Sequence, residues 1–122
     1  MKRDMELVRI ILLAIADSNE PIEASRIANE KYSANLVGYH FQILNEAGLI
    51  VASVSAAGNN PYYFASASRL TWEGNDYLDA IRDESIWRRI KSAVAKATGT
   101  TTLDVVKTLA SSLSLEAIKS VL

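Results

Sequence analysis

The sequence of 122 residues has no cysteine, one histidine and only two prolines. Without cysteine there is no disulfide framework, thiolate nucleophile or zinc knuckle. The single histidine has no partners at ligand spacing, so we expect no metal and no cofactor. The longest apolar run, Ile10 to Ala16, falls short of the roughly 18 residues that a membrane helix needs. The mixed charge of the opening MKRDME also argues against a signal peptide, so we expect a cytoplasmic protein without membrane contact.

Basic residues are absent from the middle of the chain, since no lysine or arginine lies between Lys31 and Arg69. The net charge is −1 and the isoelectric point is about 5.8, so the chain as a whole does not attract nucleic acid. A chain of this length forms one domain with a single modest core.

Helical periodicity dominates what is present. Apolar residues at i, i+3, i+4 and i+7 (Val8, Ile11, Leu12 and Ile15) predict a first helix capped by Asp4. The turn cluster DSNEP ends it, and IEASRIANE follows as a short segment with Ile22, Ile27 and Ala28 facing inward. Ser33 predicts the N-cap of a helix from Ala34 to about Ala47, with Gly48 as its C′ residue.

Two β-rich runs follow this helix. LIVASVS (Leu49 to Ser55) and PYYFASASRL (Pro61 to Leu70) predict strands, and AAGNN between them is typical of a hairpin turn. Thr71 then caps a long helix, which either runs unbroken to about Ala97 or divides near Asp83. After TGTTT, a last helix is predicted from Leu103 to the end. Its apolar stripe consists of Leu103, Val106, Ala110, Leu113, Ile118 and Val121.

This order of elements predicts an α+β, mostly helical fold: a winged helix-turn-helix core over residues 1–71 with a two-stranded wing. Residues 72–122 form a C-terminal helical extension that packs on the core or makes a dimer interface, within a single compact domain. YHFQILNEAGLI (Tyr39 to Ile50) resembles the third helix and first wing strand of winged-helix repressors of the arsenic-repressor type. Their histidine, paired apolar positions and Ala-Gly-Leu ending are matched here, with Phe41 in place of leucine.

Two longer strings carry a narrower resemblance. MKRDMELVRIILLAI and RLTWEGNDYLDAIRDESIW, together with YHFQILNEAGLI, resemble a family of small bacterial, phage and prophage proteins without an assigned function. The resemblance covers most of residues 1 to 98. It implies a winged-helix fold and a bacterial or phage origin, and it supplies no biochemical activity.

The predicted third helix supplies candidate binding residues. With Val37, Phe41 and Leu44 inward, its outward face carries Asn35, Gly38, Tyr39 and Gln42. Asparagine and glutamine make bidentate contacts to adenine, and tyrosine stacks or binds phosphate. Arg26 and Lys31 before this helix, and Asn59 and Asn60 at the hairpin turn, are added as possible contacts. The candidate DNA contacts are Arg26, Lys31, Ser33, Asn35, Tyr39, Gln42, Asn59 and Asn60. The same side chains are equally typical of a solvated polar face.

Other groups favour structural roles. His40 lies between inward-facing neighbours, which favours a buried, hydrogen-bonded ring, and Trp72 and Trp87 are expected to be core or interface anchors. The basic residues Arg88, Arg89, Lys91 and Lys96 indicate the solvent side of an amphipathic helix or, less often, a phosphate patch. There is no phosphate loop and no catalytic triad, so we expect no enzyme.

Two functions remain open. One is a DNA-binding transcriptional regulator that acts as a homodimer through its C-terminal helices. The other is a winged-helix protein-interaction module, an adaptor or inhibitor without DNA binding, because the uncharged face from Tyr32 to Ser68 suits a protein partner as well as DNA.

Overall fold

The described part of the chain consists of helices and one small sheet, which confirms the α+β expectation. The structure is a computed structural model and describes residues 1–97 and 106–110. Its elements, in chain order, are α1 (Met5–Asp17), β1 (Ile22–Glu23), α2 (Ala24–Ile27), α3 (Ala34–Glu46), β2 (Ile50–Ala57), β3 (Asn60–Leu70), α4 (Trp72–Ile81) and α5 (Glu84–Ala97). Residues 106–110 are helical. The rest of the predicted last helix, with four of its six stripe residues, lies outside the described residues.

The first helix begins where the sequence predicted. The Asp4 carboxylate accepts hydrogen bonds from the backbone N–H groups of Glu6 at 2.9 Å and Leu7 at 3.2 Å. These bonds satisfy donors that have no partner inside the helix. The predicted apolar stripe is buried in full, together with Leu7. This side of α1 therefore forms one wall of the core.

The sheet has three strands, where the sequence predicted two. All pairs are antiparallel and the strand order is β1-β3-β2. The added strand consists of Ile22 and Glu23, which pair with Ala67 and Ser66. Two residues are too few to show a period of two, so the pattern gave no signal for β1.

The short segment after α1 also differs from its predicted burial. Ile22, Ile27 and Ala28 are half-buried, whereas Ala24 is the buried residue of α2. Ala24 lies at the junction of β1 and α2, where a small side chain lets the backbone turn sharply against the core.

Glycines lie at the two turns that bound β2, one before the β2–β3 hairpin and one at its tip. Gly48 follows α3 with φ +78, and Gly58 lies in the two-residue turn between Ala57 and Asn60 with φ +58. Residues with a side chain rarely adopt this left-handed backbone conformation, so both positions favour glycine. The hairpin and its predicted turn are confirmed.

The chain forms two compact units, Met1–Asp76 and Tyr77–Leu122. In the second unit the long predicted helix divides, because the Asp83 carboxylate accepts from the backbone N–H of Ile86 at 3.0 Å and caps α5. Trp87 is buried, as expected. Trp72 is 79% exposed, so it is not a core residue, and its predicted alternative role as an interface anchor stays a prediction. The predicted division at residue 71, and the packing of the extension, stay predictions.

None of the helices within the described ranges is long and apolar enough to cross a membrane.

Candidate nucleic-acid interface

The turn between α2 and α3 is held by one side chain. The Asn29 amide oxygen accepts from the backbone N–H groups of Lys31 and Tyr32, both at 2.9 Å, and the Asn29 N–H donates to the Tyr32 carbonyl at 2.9 Å. Such bonds from an asparagine to the backbone two residues on fix a tight turn. Asn29 therefore sets the geometry between the two helices. Sequence reasoning missed it, although an asparagine two residues before a predicted turn position is the usual signal.

The start of α3 is also fixed. The Ser33 hydroxyl accepts from the Leu36 backbone N–H at 3.1 Å, which confirms the predicted N-cap. Val37, Phe41 and Leu44 are buried and anchor the helix on the core. Because one face is pinned, Gln42 is exposed and Asn35 is half-buried on the opposite side.

Gly38 does not belong to the outward face, and its predicted place there is wrong. It is buried, and a Cβ at this position would lie 3.0 Å from Tyr62 Cβ and 3.4 Å from Ala65 Cβ. The missing side chain therefore lets α3 approach β3 closely.

Tyr39 is half-buried and connects the outward face of α3 to the β2–β3 hairpin. Its ring packs edge-on against Tyr62 of β3, with ring centroids 6.1 Å apart, and against His40 at 5.5 Å. Edge-to-face pairs at this distance are favourable. Tyr39 is thus held in place before any ligand binds, with only part of its surface open to solvent.

His40 has a structural position, as the sequence favoured. It is fully buried, its Nδ1 donates to the Leu36 carbonyl at 2.8 Å and its Nε2 accepts from the Asp4 backbone N–H at 2.9 Å. These partners define the neutral tautomer. Burial lowers the pKa of His40, because it disfavours the charged ring. The ring therefore connects α3 to the N-terminus of α1.

Asn45 connects the end of α3 to β2. Its side-chain oxygen accepts from the Ala52 backbone N–H at 2.9 Å, next to a register shift in the β2–β3 pairing. A bulge of this kind frees a backbone N–H, and the asparagine satisfies it. Both ends of α3 are therefore fixed, which gives its outward face a defined orientation.

The two predicted basic contacts flank this helix. Arg26 on α2 and Lys31 in the following turn are both exposed. The Lys31 Nζ lies 5.3 Å from the centroid of the Tyr32 ring, a distance within the range of cation–π attraction. Both cations are therefore available near the N-terminus of α3.

At the tip of the β2–β3 hairpin the two predicted asparagines differ. Asn59 is exposed within the turn. Asn60 is half-buried, and its side-chain oxygen accepts from the Tyr62 backbone N–H at 3.0 Å. Asn60 therefore shapes the start of β3, while Asn59 is the more available for contact.

One acidic residue on the outward face was missed. Glu46 is exposed and follows Asn35, Tyr39 and Gln42 at helical spacing, which places it on the same side of α3. The spacing from Gln42 was the available signal. Its carboxylate repels phosphate and adds to the lack of basic residues on this surface.

Among the described residues no group of three or more histidine, cysteine, aspartate or glutamate side chains is placed to hold a metal ion. Asp76, Asp79 and Asp83 are exposed.

Comparison with known proteins gives a family. The family model described as "Hypothetical protein (DUF2513)" matches residues 2–101. A relative in Haemophilus influenzae, described as "Uncharacterized protein", is 32% identical over 112 residues, which cover 90% of this chain and 92% of that protein. No solved structure matches. The expected membership of a family without an assigned function is therefore confirmed, and the chain belongs to the DUF2513 family.

Proposed function

We propose that the first unit is a winged helix-turn-helix and that the protein is a DNA-binding transcriptional regulator of bacterial or phage origin. The element order α1-β1-α2-α3-β2-β3 and the strand order β1-β3-β2 support this fold. In such proteins the third helix enters the major groove and the hairpin lies alongside. The proposal includes no catalytic activity and no cofactor.

The outward face of α3 carries the proposal. Asn35 and Gln42 are two turns apart on a helix that is pinned by buried residues and fixed at both ends. Asparagine and glutamine amides each match the donor and acceptor of adenine in the major groove. These two residues are proposed to read bases, with the half-buried Tyr39 beside them.

Phosphate contacts are proposed for the remaining residues. Arg26 and Lys31 supply charge, and Ser33, Asn59 and Asn60 supply neutral donors. So few cations from one copy give weak binding, because phosphate contacts provide much of the affinity. We therefore propose a homodimer, joined through the C-terminal helices, that places two α3 helices on one duplex.

The test is selection from a random duplex library at low salt, followed by affinity measurements on the selected site. Asn35→Ala and Gln42→Ala are expected to reduce discrimination by about tenfold, since a bidentate pair contributes about 1–3 kcal/mol. Asn75→Ala, at an exposed position on α4, is the matched control and retains discrimination. Absence of any retained duplex at low salt, with the oligomer intact by light scattering, contradicts the proposal.

A second candidate is a protein-interaction module, an adaptor or inhibitor, favoured by one surface observation. No lysine or arginine lies between Tyr32 and Ser68, while Tyr63 is 71% exposed and Phe64 is 45% exposed. Exposed aromatic residues without nearby cations are typical of protein interfaces. If the protein is such an interaction module, Tyr63→Ala is expected to abolish binding of the partner protein. Asn35→Ala is expected to change that binding little.

A further inference from the structure

A small pocket lies beside the exposed part of β3, next to the start of α3. It has a volume of about 70 Å³. Its lining residues come from four places in the first unit: Glu23 of β1, Ala24 and Ser25 of α2, Ala34 of α3, and Tyr62, Tyr63, Phe64 and Ala65 of β3. The proposed DNA contacts are not among these residues.

The pairing of the strands explains why the pocket exists. β1 pairs with β3 only at Ala67 and Ser66, so the edge of β3 that precedes Ser66 lies beyond the end of β1. On the other side, the step from Ser55 to Ala57 on β2 lies opposite the longer step from Asn60 to Phe64 on β3. The extra residues make a bulge, which redirects side chains. Tyr62, Tyr63 and Phe64, which lie in this part of β3, all line the pocket.

The size of the pocket limits its occupant. A cavity of about 150 Å³ holds benzene, so about 70 Å³ accommodates three or four heavy atoms. Whole cofactors and drug-sized ligands need several hundred cubic ångströms. The pocket therefore fits the end group of one side chain.

The chemical nature of the lining residues indicates which end group the pocket binds. Glu23 supplies an exposed carboxylate, and the neighbouring aromatic residues supply ring faces that attract cations. No lysine or arginine belongs to the lining. A guanidinium is planar, stacks on aromatic rings and pairs with a carboxylate through two parallel hydrogen bonds. We infer that this pocket binds an exposed arginine side chain of a partner protein.

The first experiment uses the full chain and a short probe. The peptide acetyl-Gly-Arg-Gly-amide is titrated into isotopically labelled protein while amide chemical shifts are followed. We expect saturable shifts at Ala24, Ser25 and the Tyr63–Ala65 segment. The isosteric peptide with citrulline in place of arginine is neutral, so it is expected to bind at least about fivefold more weakly. Equal binding of the two peptides, or no saturable shifts, overturns the inference.

Variants then test the two halves of the pocket separately. Glu23→Gln and Tyr63→Ala are each expected to weaken binding of the arginine peptide by about threefold to tenfold. The first substitution removes the negative charge and the second removes an aromatic side chain that lines the pocket. Both side chains are exposed, so the fold is expected to survive. Glu30→Gln removes an exposed acid outside the lining and serves as the matched control. Equal weakening by Glu30→Gln shows a nonspecific charge effect and overturns the inference.

The same variants separate this site from the proposed DNA contacts. Glu23→Gln removes a negative charge, so DNA affinity is expected to stay the same or rise while peptide affinity falls. Asn35→Ala is expected to leave the peptide affinity unchanged. A failure of DNA binding therefore leaves the arginine pocket testable, and the reverse also holds.

Discussion

Among single residues, His40 connects protonation to stability. The unfolded chain binds a proton at the ordinary histidine pKa near 6.5, whereas burial lowers the pKa of His40 in the folded chain. A protonated ring would also lose its Nε2 acceptor and face the Asp4 N–H with a second donor. The contribution of His40 to the free energy of unfolding is therefore fully present above pH 6.5. It is lost as the pH drops below that value. Urea unfolding at pH 7.5 and pH 5.5 measures this loss.

The matched variant for this prediction is His40→Asn. It is expected to cost about 2 kcal/mol of unfolding free energy at pH 7.5, because the half-buried partners at Asp4 and Leu36 lose their hydrogen bonds. It should also remove most of the pH dependence between 7.5 and 5.5, since the chain has no other histidine. An unchanged pH slope in this variant contradicts the assignment to His40.

Tyr77 gives a prediction of opposite sign in pH. Its hydroxyl is buried and has no hydrogen-bond partner among the described residues. Burial raises the pKa of Tyr77, so the folded state resists ionisation and loses stability as the pH rises above about 10. Tyr77→Phe is expected to raise the unfolding free energy by about 1 kcal/mol at neutral pH and to reduce the alkaline loss. Chemical unfolding of both proteins at pH 7.5 and pH 10.5 checks this, and a less stable phenylalanine variant refutes it.

Residues at the centre of a buried stripe were predictable, and those at its margin were not. Val37, Phe41 and Leu44 share one face by spacing alone, so their burial follows from helical geometry. Gly38 lies at the margin of that face, where burial depends on whether β3 comes close. That approach depends on Tyr62, which is distant in sequence. Of the proposed base-reading pair, Gln42 is exposed and Asn35 is half-buried.

At the scale of elements, the first turn of α4 contacts the end of α3. The Thr71 hydroxyl donates to the Gly48 carbonyl and accepts from the Gly74 N–H at 3.0 Å, while the Thr71 N–H donates to the Leu49 carbonyl at 3.0 Å. A Cβ at Gly74 would collide with the Leu49 backbone. Backbone atoms cannot rotate away as a side chain does, so the whole turn would have to move.

Gly74→Ala is therefore expected to lower the unfolding free energy by about 3 kcal/mol, although alanine ordinarily favours helices. Glu73→Ala, at the exposed neighbouring position, is the matched control and should change stability by less than about 0.5 kcal/mol. Thermal or urea unfolding measures both. If the Gly74→Ala protein is as stable as the wild type, then α4 does not pack closely against the Leu49 backbone.

Elements with a local signal were recovered from the sequence. α1 and α3 have side-chain caps, stripes of apolar residues and defined ends, and the hairpin has its glycine turn. β1 has only two residues and depends on pairing with Ala67, more than forty positions later. Trp72 shows the same limit, because it occupies an apolar position in the pattern and is 79% exposed in the structure. The periodicity of the sequence does not predict which distant strands pair or which apolar residues remain exposed.

For the whole molecule, charge decides how DNA binding must behave if it occurs. The chain has 13 basic and 14 acidic residues, and most of the candidate interface is neutral. The basic residues of α5 are exposed, and Arg88 pairs with Glu84 at 3.0 Å on the surface. A surface pair of this type contributes little to stability, and the spacing matches the solvent side of an amphipathic helix.

These charges predict a shallow salt dependence for the proposed DNA complex. Arg26 and Lys31 from two copies neutralise about four phosphates, so log K is expected to fall with log salt at a slope of about −4. Lys31→Gln removes one contact per copy and should make the slope less steep by about 2. Lys96→Gln, at an exposed position of α5, is the matched control and should leave the slope unchanged. Fluorescence anisotropy on the selected duplex between about 50 and 200 mM salt gives all three slopes. If Lys96→Gln changes the slope as much as Lys31→Gln, then α5 contacts phosphate and the neutral face of α3 is not the main contact surface.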